Sequence, residues 1–85
     1  MPYLAYILQS ETCHRNYCGS TEDLIQRIRQ HNDPSYKLTR TTKVFPGPWV
    51  LVWSQRFETR KEALAKEMAI KKIGIGRFLE RQKRN

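Results

Sequence analysis

The chain has 85 residues, is 39% apolar and 11% aromatic, and carries a formal charge of +8 with a pI near 9.9. That length suits one domain with a modest core, and it excludes a large multidomain enzyme. No apolar run is long enough to span a bilayer, and MPYLAYILQS has neither the basic leader nor the small-residue cleavage site of a secretory signal. The expectation is a cytoplasmic protein with no membrane partner. Residues 1–36 hold three Lys/Arg against four Asp/Glu, whereas residues 37–85 hold thirteen against four. A basic domain with so lopsided a charge suits a polyanionic partner, nucleic acid first. Cys13 and Cys18, without a secretory signal, are expected to be free thiols.

Tyr3–Leu8 is nearly all apolar and predicts a buried strand, followed by a polar hairpin loop over Gln9–Arg15 and a short second strand, Asn16–Gly19. Consecutive short strands pair antiparallel. Ser20 is positioned as a helix N-cap, with Thr21, Glu22 and Asp23 in the first turn, where oxygens and negative charge suit the exposed N–H groups. That helix extends to about Asn32 on a Leu24/Ile28 stripe, and Asp33-Pro34 stops it. Tyr36–Pro48 has few helix or strand signals and holds Lys37, Arg40 and Lys43 without an acid.

Trp49–Phe57 is aromatic and β-branched and predicts a third strand. Thr59, with Glu62 at the capping-box position, starts a helix over Arg60–Ile73 that Gly74 ends. A further short helix is expected over Arg77–Lys83. The order β-β-α-β-α-α describes an α/β or α+β fold, helices interleaved with a small, mostly antiparallel sheet.

Glu67 is the most informative residue. On a wheel of about 100° per residue it falls about 40° from Ala63, between Ala63 and Leu64, on the face the helix should bury. A carboxylate there is costly unless paired, protonated or bound to metal. It is either a buried salt bridge to an Arg, or a metal ligand or catalytic acid. Arg27 and His31, four residues apart, share one side of the first helix on the flank of its apolar stripe. They form either a solvated basic face or a pair in which the guanidinium grips phosphate and the imidazole moves a proton. Tyr6 and Tyr17 lie on the two strands expected to pair, where tyrosines ordinarily pack. Cys13, His14, Cys18 and His31 offer soft metal ligands, but their spacing fits no zinc pattern.

Together these residues resemble the GIY-YIG nuclease family. Leu4-Ala5-Tyr6 stands where the family has Gly-Ile-Tyr, and Tyr17-Cys18-Gly19, with ten residues between Tyr6 and Tyr17, where it has Tyr-Ile-Gly. Arg27 matches the family's helix arginine, His31 the position one turn on, and Glu67, in FETRKEALAKEMAIKK, the metal-binding glutamate. The resemblance covers residues 3–73 and is nearest to small single-domain bacterial members. Leu4 and Cys18 depart from the motifs at strand positions, and Leu79–Gln82 lacks the asparagine that several active members carry there.

The resemblance implies a three-stranded antiparallel sheet flanked by helices, with residues 1–85 as a single domain and 74–85 its basic C-terminal helix and tail. It implies Mg²⁺- or Mn²⁺-dependent hydrolysis of DNA phosphodiester bonds with low sequence specificity, in repair or recombination, with branched or damaged DNA as candidate substrates. Tyr6, Tyr17, Arg27, His31 and Glu67 are the expected catalytic residues, with Glu67 holding the metal and either tyrosine as the base. Arg27, Lys37, Arg40, Lys43, Lys71, Lys72 and Arg77 are the expected nucleic-acid contacts. The alternative is a nucleic-acid-binding module of the same fold with little or no activity.

Overall fold

The computed structural model describes residues 2–33 and 48–83. Its elements are β1 (Tyr3–Ser10), β2 (Asn16–Thr21), α1 (Leu24–Asn32), β3 (Trp49–Phe57), α2 (Arg60–Ile73) and α3 (Ile75–Lys83). The three strands form one antiparallel sheet in the order β2-β1-β3, an α+β fold with the expected element order.

The most apolar segment takes the central strand because it alone has a strand on either side and a helical layer on each face. Ala5, Tyr6, Ile7 and Leu8 are consecutively buried. Alternation along β1 then divides the core. Ile7 faces Cys18, Ile70 and Phe78, with Trp53, Ile75 and Leu79 packed around them. Tyr6 and Leu8 face Trp49, with Tyr17, Leu24 and Ile28. Helices α2 and α3 therefore cover one face and α1 the other. Phe78 anchors α3, meeting Trp53 edge-on at a centroid distance of 4.9 Å, while Lys66 lies over its ring.

The junction of β2 and α1 differs from the sequence expectation. Ser20 is a strand residue opposite Ala5, β2 extends to Thr21 opposite Leu4, and Asp23 is the N-cap. The Asp23 carboxylate accepts from the Gln26 N–H, and the Thr21 hydroxyl oxygen accepts from the Asp23 N–H. Ladder pairing with β1 outcompetes an early cap, and Asp supplies an equally good one three residues on. Helix α3 likewise starts at Ile75, earlier than Arg77, because Phe78 N–H donates to the Gly74 carbonyl. The Thr59 cap and the stop at Gly74 are as expected; Gly74 has φ +106°, a region that favours glycine.

The Asn32 side chain ties the end of α1 to the start of β3. Its amide oxygen accepts from the Trp49 N–H at 2.7 Å and its amide nitrogen donates to the Trp49 carbonyl at 3.0 Å. A side-chain amide thus completes backbone bonds that a neighbouring strand would otherwise make.

Candidate active site

The register of β1 against β2 places Leu8 opposite Tyr17 and Tyr6 opposite Gly19. Side chains two residues apart on a strand share a face, so both tyrosines project into the α1 layer. There they meet His31. The Tyr17 and His31 ring centroids are 4.7 Å apart, those of Tyr6 and Tyr17 6.2 Å, and those of Tyr6 and His31 6.1 Å. His31 Nε2 lies 3.1 Å from the Tyr6 hydroxyl, a buried hydrogen bond.

Gly19 makes room for this cluster. A Cβ there would sit 2.8 Å from the Tyr6 hydroxyl oxygen and 3.0 Å from Tyr17 Cε2. The glycine is a matter of space beneath two phenols, not of ending a strand, since β2 continues for two residues beyond it.

His31 does not lie on a solvated flank. It is 3% exposed, and it continues the Leu24/Ile28 stripe by a further three residues. Burial, with the Arg27 guanidinium beside it, lowers its pKa to about 4, so the imidazole is neutral at pH 7. Burial also raises both phenols, Tyr6 far above the ordinary range. Arg27 pulls the other way on both, and Lys71 does so on Tyr17. Which of Tyr6 and His31 donates in their hydrogen bond follows the imidazole tautomer, and Nδ1 is buried with no hydrogen-bond partner among the described residues. Tyr6 is fully buried and Tyr17 half-buried, so Tyr17 is the phenol that solvent can reach.

Glu67 comes from the other layer. Helix α2 buries Ala63 and Ile70, while Leu64 and Met68 are 37% and 70% exposed. The carboxylate therefore sits at the margin of the buried face, with 16% of the side chain exposed. Its partner is a lysine rather than an arginine: Lys71 Nζ donates to Glu67 Oε2 at 2.8 Å. Glu67 raises Tyr6, Tyr17 and Cys18, so its field reaches the α1-side rings past β2, an edge strand.

The structure thus brings Tyr6, Tyr17 and His31 into contact, with Arg27 one turn from His31 on α1 and Glu67 on the opposite layer, both charges reaching the two tyrosines. It adds Lys71, which the sequence reading had placed only among nucleic-acid contacts; its spacing of four from Glu67 was the available signal. Lys72 and Arg77 are exposed and outside this cluster. Lys37, Arg40 and Lys43 lie outside the described residues. No group of three or more His, Cys, Asp and Glu is poised for a metal among the described residues. Cys18 faces the α2–α3 layer while His31 belongs to the α1 layer, which separates two of the soft ligands. Burial raises the Cys18 thiol to about 11. Glu67 offers hard oxygen donors that already hold one cation, the Lys71 ammonium. That donor set fits a hydrated Mg²⁺ or Mn²⁺ bound through a single carboxylate, not a thiophilic ion.

Similarities to known proteins agree with this arrangement. The chain is 42% identical over 71 residues to the structure-specific endonuclease subunit SLX1 of Meyerozyma guilliermondii, covering 80% of this chain and 24% of that protein. It is 39% identical over 57 residues to the UPF0213 protein YazA of Bacillus subtilis, covering 67% and 54%. It therefore spans about a quarter and about half of the length of these two relatives. The solution structure of a UPF0213 protein from Bacillus halodurans matches with a TM-score of 0.53 and 30% identity over 96% of this chain and 81% of that one. The family model described as the GIY-YIG catalytic domain matches residues 2–73, nearly the whole of the sheet, α1 and α2, and the chain belongs to that family.

Proposed function

We propose that this chain is a divalent-metal-dependent endonuclease that hydrolyses DNA phosphodiester bonds with low sequence specificity. The observation that carries the reading is the contact of Tyr17 with His31, with the charges of Arg27 and Glu67 reaching both tyrosines. Family membership supports a nuclease, and the name of the SLX1 relative, a structure-specific endonuclease subunit, favours branched DNA over linear. A role in repair or recombination suits that substrate, and the reading includes a cytoplasmic location. None of the described helices is long and apolar enough to cross a membrane.

In this reading Arg27 grips two non-bridging oxygens of the scissile phosphate, the geometry for which a planar guanidinium is suited. Tyr17, the phenol that solvent can reach, accepts a proton from the attacking water as its phenolate, a form that burial disfavours and the charges of Arg27 and Lys71 partly restore. The water oxygen bonds to phosphorus as the bond to the 3′ oxygen breaks. Tyr6 stays protonated, and its bond to His31 holds the imidazole against the Tyr17 ring. Glu67 would hold a Mg²⁺ or Mn²⁺ ion, which would supply stabilisation of negative charge on the leaving oxygen. Lys72 and Arg77, with Lys37, Arg40 and Lys43, track the backbone without reading bases.

The ion pair between Glu67 and Lys71 favours a second reading. It satisfies the carboxylate without metal, as a DNA-binding module of this fold would require. Branched and linear DNA incubated with Mn²⁺ and either wild type or Glu67→Ala separates the two. The nuclease reading expects cleavage by wild type that Glu67→Ala loses. Binding without cleavage by wild type establishes the second reading.

A further inference from the structure

We infer that the polar cleft beside Arg27 receives one nucleotide of a DNA strand, the neighbour of the nucleotide whose phosphate meets the tyrosine–histidine cluster. The inference rests on the nuclease reading. The cleft, about 410 Å³, is bounded by the start of β1, the end of β2, α1 and the first residue of α2. Its volume falls within the roughly 300–1,000 Å³ of clefts that take small organic ligands. Tyr3, Glu22, Gln26, Arg27, Gln30 and Arg60 are the lining residues that matter.

Among the described residues neither guanidinium is seen in an ion pair, nor is Glu22. Two cations and two carboxylates, Glu22 and the Asp23 that caps α1, therefore line one cleft without neutralising each other by contact. A simple anion would satisfy the arginines and face Glu22 unfavourably. A simple cation would do the reverse. A nucleotide carries both complements: phosphate oxygens for Arg27 and Arg60, and base or sugar donors for Glu22 and the glutamine oxygens. The Tyr3 ring adds a surface on which a base can stack.

Arg27 links this cleft to the chemistry. It lines the cleft, and its charge also shifts Tyr6, Tyr17 and His31. A phosphate held by Arg27 at the rings and a nucleotide in the cleft are then consecutive on one strand. Gln26 and Gln30, four residues apart on α1, flank Arg27 on the cleft side.

The test is fluorescence anisotropy with a labelled single-stranded oligonucleotide, metal withheld, alongside an oligonucleotide of the same length lacking bases. Arg60→Ala should weaken binding of both strands about tenfold, the scale of a lost charged hydrogen bond. Tyr3→Leu should remove the wild type's preference for the base-bearing strand, and Gln30→Ala should reduce it. Affinities of all three variants equal to wild type overturn the inference. A base preference that survives in Tyr3→Leu and Gln30→Ala overturns the assignment of the base to this cleft. Cleavage by wild type with Mn²⁺, assayed separately, tests the nuclease reading. If wild type does not cleave yet the three variants bind as expected, the cleft stands and that reading falls. If wild type cleaves and the variants bind normally, the cleft falls alone.

Discussion

The Tyr6 hydroxyl rests directly on Gly19, with 2.8 Å between its oxygen and the place a Cβ would take. Real Cβ atoms do not approach so closely, and the ring cannot retreat because it is fully buried and bonded to His31. Gly19→Ala should cost about 1–3 kcal/mol through overpacking and should displace Tyr6 from His31. Chemical denaturation reads the first effect, and loss of cleavage in protein that remains folded reads the second. Unchanged stability would show that the cluster has slack that this geometry denies.

The two phenols have separable roles. Tyr17→Phe removes the accessible oxygen and should abolish cleavage with little loss of stability, because the half-buried ring still packs against His31. Tyr6→Phe leaves His31 Nε2 buried without its partner, at a stability cost of about 1–3 kcal/mol. Activity should fall less than in Tyr17→Phe. A Tyr6→Phe protein that is inactive, paired with an active Tyr17→Phe protein, would reverse the assignment of the base.

Lys71 and a divalent ion compete for one carboxylate. Lys71→Met should therefore tighten Mn²⁺ binding several-fold, and Glu67→Gln should eliminate that site. Isothermal titration calorimetry measures both. Stability should hardly change in Lys71→Met, since an i,i+4 pair with an exposed lysine is worth about 0.3–0.5 kcal/mol. Weaker Mn²⁺ binding in Lys71→Met would mean that the ammonium orients Glu67 rather than blocking it.

His31 links folding to pH. Its pKa falls from 6.5 in the unfolded chain to about 4 in the fold, so the unfolded state binds the proton more readily. The stabilisation is complete above pH 6.5 and is lost as pH falls toward 4. Each unit of pKa difference corresponds to about 1.4 kcal/mol. His31→Gln should lower stability at pH 7 and flatten the decline between pH 6.5 and 5, a window above most carboxylate titration. Parallel wild-type and variant curves in denaturant melts over that window would show that His31 does not titrate with folding.

Local pattern was enough to place every described strand and helix to within a few residues, because apolar periodicity, Thr59, Gly74 and the Trp49–Phe57 run act over one turn or one strand. It also singled out Glu67, since a carboxylate beside Ala63 and near Ile70 is anomalous on any helical wheel. Other features depended on partners distant in sequence. Pairing with Leu4 and Ala5 drew Ser20 and Thr21 into β2 and moved the cap to Asp23. Burial of His31 was implicit in its spacing from Leu24 and Ile28, but only the Tyr6 hydroxyl, 25 residues away, gives the imidazole a reason to be inside. The need for glycine at position 19 arises from a cross-strand register, and the pairing of Asn32 with Trp49 spans 17 residues. Short-range periodicity determines which elements form; the sheet register and the two helical layers decide which side chains meet. Tyr17 and His31 meet because register and helix packing bring both to the α1 face, while the charge of Glu67, from the opposite layer, still reaches both tyrosines beside the edge strand β2.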